Sequence, residues 1–127
     1  MPKEDLIRWN ERYAKSIGER QNAPRAFLLQ NLDLLPPRGV ALDLAMGTGN
    51  NAGLLLEKGN KVIGIDISDV AVRLAKRRFP QLMAVVADLN AFYLPSGKFD
   101  VVLNFYYLQR ELWPEFARIL KPGGLLI

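Results

Sequence analysis

Apolar residues recur along this chain with two different periods. Leu6, Trp9, Tyr13 and Ile17 fall three or four residues apart, which puts them on one face of a helix over about 4–17. Ala23-Pro24 precedes a second helical stretch with Leu28, Leu32 and Leu35 on one side, and Pro36-Pro37-Arg38-Gly39 ends it. Beyond residue 40 short apolar runs alternate with helical patterns. Strands are predicted at about 40–45, 61–66, 83–87 and 99–105, with a fifth opening at Leu125. The intervening helices are predicted at about 50–58, 69–78 and 108–120. Local punctuation agrees with these bounds. Gly59 suits a helix C-terminus, Ser68 an N-cap, and Pro80 a stop. Pro95, Ser96 and Gly97 mark a loop over 89–98, Pro114 falls in a first turn or kinks its helix, and Lys121-Pro122-Gly123-Gly124 reads as a turn. Strands alternating with helices predict an α/β fold with a parallel sheet and right-handed crossovers. The nearly all-apolar run 99–105 suits a central strand covered on both faces.

The chemistry concentrates where the first strand ends. Val40-Ala41-Leu42 runs into Asp43, then into Leu44-Ala45-Met46-Gly47-Thr48-Gly49-Asn50 and the start of a helix. A glycine-rich turn there lets a ligand meet bare backbone and the free N–H groups of the helix. Asp66 closes the next strand, completing the outline of a nucleoside-binding βαβ unit. Gly47-Thr48-Gly49-Asn50-Asn51-Ala52 also fits the G-x-G-x-x-A loop of dinucleotide-dependent oxidoreductases. Three features point elsewhere. Asp43, four residues ahead of Gly47, would repel a pyrophosphate. Two helices precede the first strand, and a third acid, Asp88, ends the third. Acids at three successive strand ends suit a ligand with hydroxyls, amine donors and positive charge.

Composition narrows the chemistry further. A chain of 127 residues, half of them hydrophobic, is one globular domain. No apolar run approaches the roughly 18–20 residues of a membrane span, and Met1-Pro2-Lys3-Glu4-Asp5 is unlike a secretory signal, so a cytoplasmic protein is expected. With no cysteine and no histidine, disulfides, thiolate nucleophiles, iron–sulfur clusters and Ser-His-Asp catalysis are excluded, and no metal site is expected. The net charge of +4 invites a nucleic-acid reading. Its densest cluster, Arg73, Lys76, Arg77 and Arg78, reads instead as a solvated helix face whose cations suit the helix dipole.

Five segments together resemble the motifs of class I S-adenosylmethionine-dependent methyltransferases. Leu42 to Gly49 is similar to the family's D-x-G-x-G-x-G, with Ala45 in place of the first glycine; Val62 to Ser68 is similar to the second motif and Val86-Ala87-Asp88-Leu89 to the third. Phe99 to Asn104 and Leu120 to Ile127 are similar to the fourth and fifth. The likeness covers residues 40–127 in order. It implies a Rossmann-like three-layer sandwich with sheet order 3-2-1-4-5, and S-adenosyl-L-methionine as cofactor, giving S-adenosyl-L-homocysteine as product. It also implies roles. Gly47 and Gly49, with Ala45, would let the methionine part cross the loop, and Asp43 would accept from its amino group. Asp66 would take both ribose hydroxyls. Asp88 and the Leu89 N–H would meet adenine, Ile67 would pack on its face, and Asn104 would stand at the same edge.

The segment Trp9-Asn10-Glu11-Arg12-Tyr13 further resembles the W-[D/N]-x-R-Y helix of the branch that includes tellurite-resistance and thiopurine methyltransferases. That likeness implies that residues 1–36 cover the cofactor site of a single domain, 1–127, with Arg12 facing the cofactor carboxylate and Trp9 or Tyr13 near the sulfonium. An amphipathic helix packed on the sheet would show the same spacing.

The resemblance implies methyl transfer by in-line displacement to a small molecule, which needs neither His nor Cys. No catalytic residue is named by it. Asn104-Phe105-Tyr106-Tyr107 is similar to the N-P-P-Y element of amino-methylating enzymes but lacks its prolines; Asn104 either holds a planar amino acceptor or ends a strand. Tyr106, Tyr107, Arg110 and Trp113 are candidate acceptor-site residues. Family members normally carry seven strands, and this chain ends inside the fifth. That predicts a truncated core lacking strands 6 and 7 and association of copies through the strand-5 edge. A cofactor-binding fragment without transfer activity is the alternative, ahead of a nucleic-acid methyltransferase or a nicotinamide-dependent oxidoreductase.

Overall fold

The computed structural model describes residues 3–15, 24–88, 91, 93–105 and 113–127. Elements follow in the order α1 (Lys3–Lys15), α2 (Ala26–Gln30), β1 (Val40–Leu44), α3 (Asn50–Glu57), β2 (Lys61–Asp66), α4 (Asp69–Arg78), β3 (Met83–Val86), β4 (Phe99–Leu103), α5 (Trp113–Ile119) and β5 (Leu120–Leu126). The five strands form one sheet in the order β3-β2-β1-β4-β5, and every pairing is parallel.

The period of two along each strand divides the core into two layers. Ala41, Val62, Val101 and Leu103 pack with Ala52 and Leu55 of α3 and Val72 and Ala75 of α4. Leu42, Leu44, Ile65 and Val102 turn the other way and pack with Phe116 and Ile119 of α5. A one-residue slip of β1 would exchange these faces, so its register is strongly fixed. Leu28 and Leu35 extend the first layer, and Phe27 meets Phe105 edge-on at 6.4 Å between ring centroids.

Helix ends follow the expected chemistry. Ser68 Oγ accepts from the Ala71 N–H and caps α4. Beyond α3, Gly59 has φ of 92° and donates to the Leu56 carbonyl, while the Asn60 N–H reaches Leu55. This paired closure uses the left-handed conformation that glycine adopts without strain. Pro114 lies in the first turn of α5, where its absent N–H costs nothing.

Two expectations change. The second helix stops at Gln30 and passes into a short 3-10 turn at Leu32–Leu34. Asn31 causes the break: its side chain donates to the Phe27 carbonyl, which would otherwise take the next helical N–H. Leu28 and Leu35 are still buried. The second change is at the C-terminus, where Leu120 already pairs with Phe99 and Leu125 with Val101. The expected turn at 121–124 is therefore a bulge inside β5, formed where Pro122 offers no N–H and Gly123 has φ of 80°.

Candidate cofactor site

Register sets the depths of the acids. Asp43 stands opposite Gly64, so Asp66 lies two residues further toward the carboxyl edge of the sheet. Val86 stands opposite Asp66, and Asp88 follows two residues later, half-buried. Asp43 pairs with Leu103 on its other side, so Asn104 begins just above it. The structure thus brings Asp43, Asp66, Asp88 and Asn104 to one edge, at stepped heights.

The β1–α3 connection is a chain of left-handed residues. Ala45, Gly47 and Gly49 have φ of 53°, 61° and 88°. Ala45 is therefore strained where a glycine would be at ease, by about 1–2 kcal/mol. The Gly49 N–H returns to the Met46 carbonyl, and Met46 donates to Ile65. The Met46 thioether lies over Gly64, where even a methyl group would sit 2.0 Å from sulfur.

Gly49 is the N-cap of α3 and has no side chain to satisfy the helix's first N–H groups. Asp43, on the α3 side of β1, accepts from the Ala52 N–H instead. Its other oxygen, Oδ2, is buried and accepts no hydrogen bond from the described residues. Burial, and the Asp66 charge after it, push the Asp43 carboxyl up to about 8, against the weaker pull of the Ala52 N–H. The Asn104 Oδ1 is buried and unbonded in the same way. Two unsatisfied acceptors at adjoining strand ends suit a ligand rich in N–H donors, above all an ammonium group.

Asp66 is also buried, yet both of its oxygens are engaged. Oδ2 accepts from the Gly47 N–H at 2.9 Å, and Oδ1 from the Ser68 N–H at 2.9 Å. Burial raises its pKa, opposed by these two bonds and one from Ile67. The carboxylate has about four lone-pair sites against these three backbone donors, which leaves room for a further hydroxyl donor. The half-buried Ile67 follows directly.

Helix α1 docks at this edge. Asn10 accepts from Ser68 Oγ and donates to Asp69 Oδ1 at 3.2 Å, fastening α1 to the start of α4. Arg12 stacks on Trp9 at 5.1 Å from the ring centroid, and Arg8 at 6.0 Å. Sequence reasoning missed Asn10; its signal was the polar position beside Trp9 in the W-[D/N]-x-R-Y pattern. Leu89, Tyr106, Tyr107 and Arg110 lie outside the described residues, as does the Tyr13 side chain. Trp113 is exposed at the start of α5.

The basic face of α4 is largely tied into the chain. Arg73 pairs with Asp69 at 3.2 Å, and Lys76 donates to the carbonyls of Pro80 and Leu82. Arg78 turns back onto the glycine loop, donating to the Thr48 carbonyl at 2.9 Å and to Asn50 Oδ1 at 2.7 Å.

Comparison with known proteins agrees with this geometry. The family model described as "Methyltransferase domain" matches residues 41–124. Trans-aconitate 2-methyltransferase of Azoarcus sp. (strain BH72) is 32% identical over 124 residues, covering 92% of this chain and 48% of its own length. The protein of the same name from Rhizobium meliloti (strain 1021) is 36% identical over 120 residues, covering 90% and 46%. An S-adenosylmethionine-dependent methyltransferase from Mesorhizobium loti superposes with a TM-score of 0.68 and 25% identity, over 79% of this chain and 50% of that one. The chain belongs to the methyltransferase-domain family, within the class I S-adenosylmethionine-dependent enzymes. It spans about half the length of the curated relatives it matches. Among the described residues no helix is long and apolar enough to cross a membrane.

Proposed function

We propose that this chain binds S-adenosylmethionine at the carboxyl edge of β1, β2, β3 and β4, and that the whole protein transfers its methyl group to a small-molecule acceptor. The observation that carries the reading is the buried, unpaired Oδ2 of Asp43 beneath the left-handed loop. A buried acceptor is costly to leave unsatisfied, and the amino group of a methionine tail would satisfy it together with Asn104 Oδ1. The cofactor supplies a sulfonium-bound methyl group open to in-line displacement.

The residues of the chain bind and orient. Gly47 and Gly49 carry no side chain and Ala45 only a methyl group, so the ligand meets backbone. Asp66 takes the ribose hydroxyls at its carboxylate while it holds Gly47. Asp88 accepts from the adenine amine, with the Leu89 N–H beside it, and Ile67 covers the base. Trp9 and Arg12, carried by α1, close the outer side toward the sulfonium and the cofactor carboxylate. The names of the relatives make a small polycarboxylic acid the first acceptor to assay in the full-length protein. Pairing of copies along β5 is part of the same proposal, and a concentration-independent monomer mass in sedimentation would overturn it. A cytoplasmic site of action completes the reading.

Calorimetry tests the cofactor directly. S-adenosylmethionine and S-adenosylhomocysteine should bind and NADH should be silent; NADH binding without S-adenosylhomocysteine binding would falsify the assignment.

A further inference from the structure

Arg78 is the last residue of α4, and its sequence position marks it only as one cation of a basic helix face. Its side chain does something else. Nη1 lies 2.9 Å from the Thr48 carbonyl oxygen, 3.2 Å from Thr48 Oγ1 and 2.7 Å from Asn50 Oδ1. The guanidinium also rests over the Phe79 ring at 4.9 Å. Phe79 in turn fills the space left by two glycines: a methyl group on Gly53 would fall 2.3 Å from its ring, and one on Gly49 would fall 3.4 Å from it. The residues just after α4 are thus seated against the loop and the first turn of α3. Part of the guanidinium is withdrawn from water, which lowers its pKa and strengthens the bonds it makes.

The loop between Gly47 and Asn50 is consequently held from both ends of α4. Asp66, just before the helix, takes the Gly47 N–H, and Arg78, at its close, takes the Thr48 carbonyl. A run of left-handed residues has few bonds of its own, and glycine has the most conformational freedom to lose on ordering. A fixed anion on its donor and a fixed cation on its acceptor supply that ordering before a ligand arrives.

We infer that Arg78 is a positioning residue for the cofactor, acting through the Thr48 carbonyl and Asn50 to hold the glycine loop in its binding conformation. The inference rests on the proposed cofactor site. All three contacts are made by one nitrogen, Nη1, while the guanidinium plane rests on Phe79; a lysine ammonium, a point charge on a shorter stem without that plane, would keep only part of that hold. Of the cations on α4, Arg78 serves the loop, whereas Arg73 pairs with Asp69 and Lys76 with the carbonyls of Pro80 and Leu82.

Two measurements decide the matter. In wild type, Arg78→Met, Arg78→Lys and the control Arg77→Met, S-adenosylhomocysteine affinity is measured by calorimetry. Amide hydrogen exchange at Gly47 and Gly49 is measured without ligand. The expected result is about tenfold weaker binding in Arg78→Met, an intermediate loss in Arg78→Lys, and no change in Arg77→Met. Exchange at the two glycines should quicken severalfold in Arg78→Met while the β1 amides stay protected. Wild-type affinity in Arg78→Met, or exchange that quickens equally in β1, would overturn the inference. If Arg78→Met does not fold, Arg78→Lys decides by the same two readings. Failure of wild type itself to bind S-adenosylhomocysteine would instead overturn the cofactor assignment, and the exchange measurement would still report on the loop.

Discussion

Asp43 and Asp66 stand at the ends of neighbouring strands, both buried, and the fold treats them in opposite ways. Asp66 is bonded through both oxygens to backbone N–H groups of Gly47 and Ser68. Among the described residues Asp43 has one such partner, Ala52, and its Oδ2 accepts no hydrogen bond. Burial raises both pKa values, so burial alone does not distinguish them. The difference lies in who satisfies the lone pairs. Asp66 is part of the scaffold as well as of the site, whereas Asp43 is a cost to the free protein that a ligand can relieve.

The largest test of that contrast is Asp66→Ala. It takes the acceptor away from the backbone N–H groups of Gly47, Ser68 and Ile67, so unfolding free energy should fall by about 2–4 kcal/mol in denaturant titration. Asp43→Asn should behave differently. The amide oxygen can still take the Ala52 N–H, yet the charge is gone, so S-adenosylhomocysteine affinity should drop ~10–100-fold, about 1.5–3 kcal/mol. Equal destabilisation by the two substitutions would break the comparison.

The third test uses pH. The folded Asp43 holds its proton up to about 8, whereas its unfolded value is 3.8. Between those values the folded state binds more protons than the unfolded, so this group makes stability fall as pH rises. The Tm of Asp43→Asn relative to wild type should therefore climb from pH 5 to pH 9. Binding has the opposite sign, because an ammonium beside Asp43 favours its carboxylate; affinity should increase from pH 6 to pH 8 in wild type and stay flat in Asp43→Asn. The smallest effect belongs to the loop between the two acids. Ala45→Gly relieves a φ of 53° and should stabilise the chain by about 0.5–1 kcal/mol, the gain reduced by glycine's extra freedom when unfolded.

Much of the architecture was legible from local rules. The strands, the Ser68 cap and the Gly59 closure each depend on a few consecutive residues, and the alternation of Ala41, Leu42, Asp43 and Leu44 shows which face each would occupy. The acids at the strand ends were legible for the same reason, because strand termini locate them without any tertiary knowledge. What escaped depends on side chains meeting across the fold. Asn31 breaks a helix that its leucine spacing favours, because its amide competes for the Phe27 carbonyl. The bulge at 121–124 exists because β4 pairs with residues on both sides of Pro122. Arg78 looks like any surface cation until Phe79 seats its helix end against Gly49 and Gly53. Asn10 gains meaning only when α1 meets Ser68.

The stepped register has a consequence for how a ligand travels. Asp43 and Asp66 are separated by one strand spacing and two residue rises, roughly 8 Å on a diagonal. Asp88 continues the climb beyond the end of β3. A molecule that satisfies all three must lie aslant; under the proposed cofactor assignment its amino-acid end is at the floor and its base at the rim. Its two ends then differ in kinetics. The base can dock first and let go first, while the tail beneath the loop is the last part to be desolvated and the last to be released. Changes at Asp43 should therefore act mainly on residence time, and changes at Asp88 on capture.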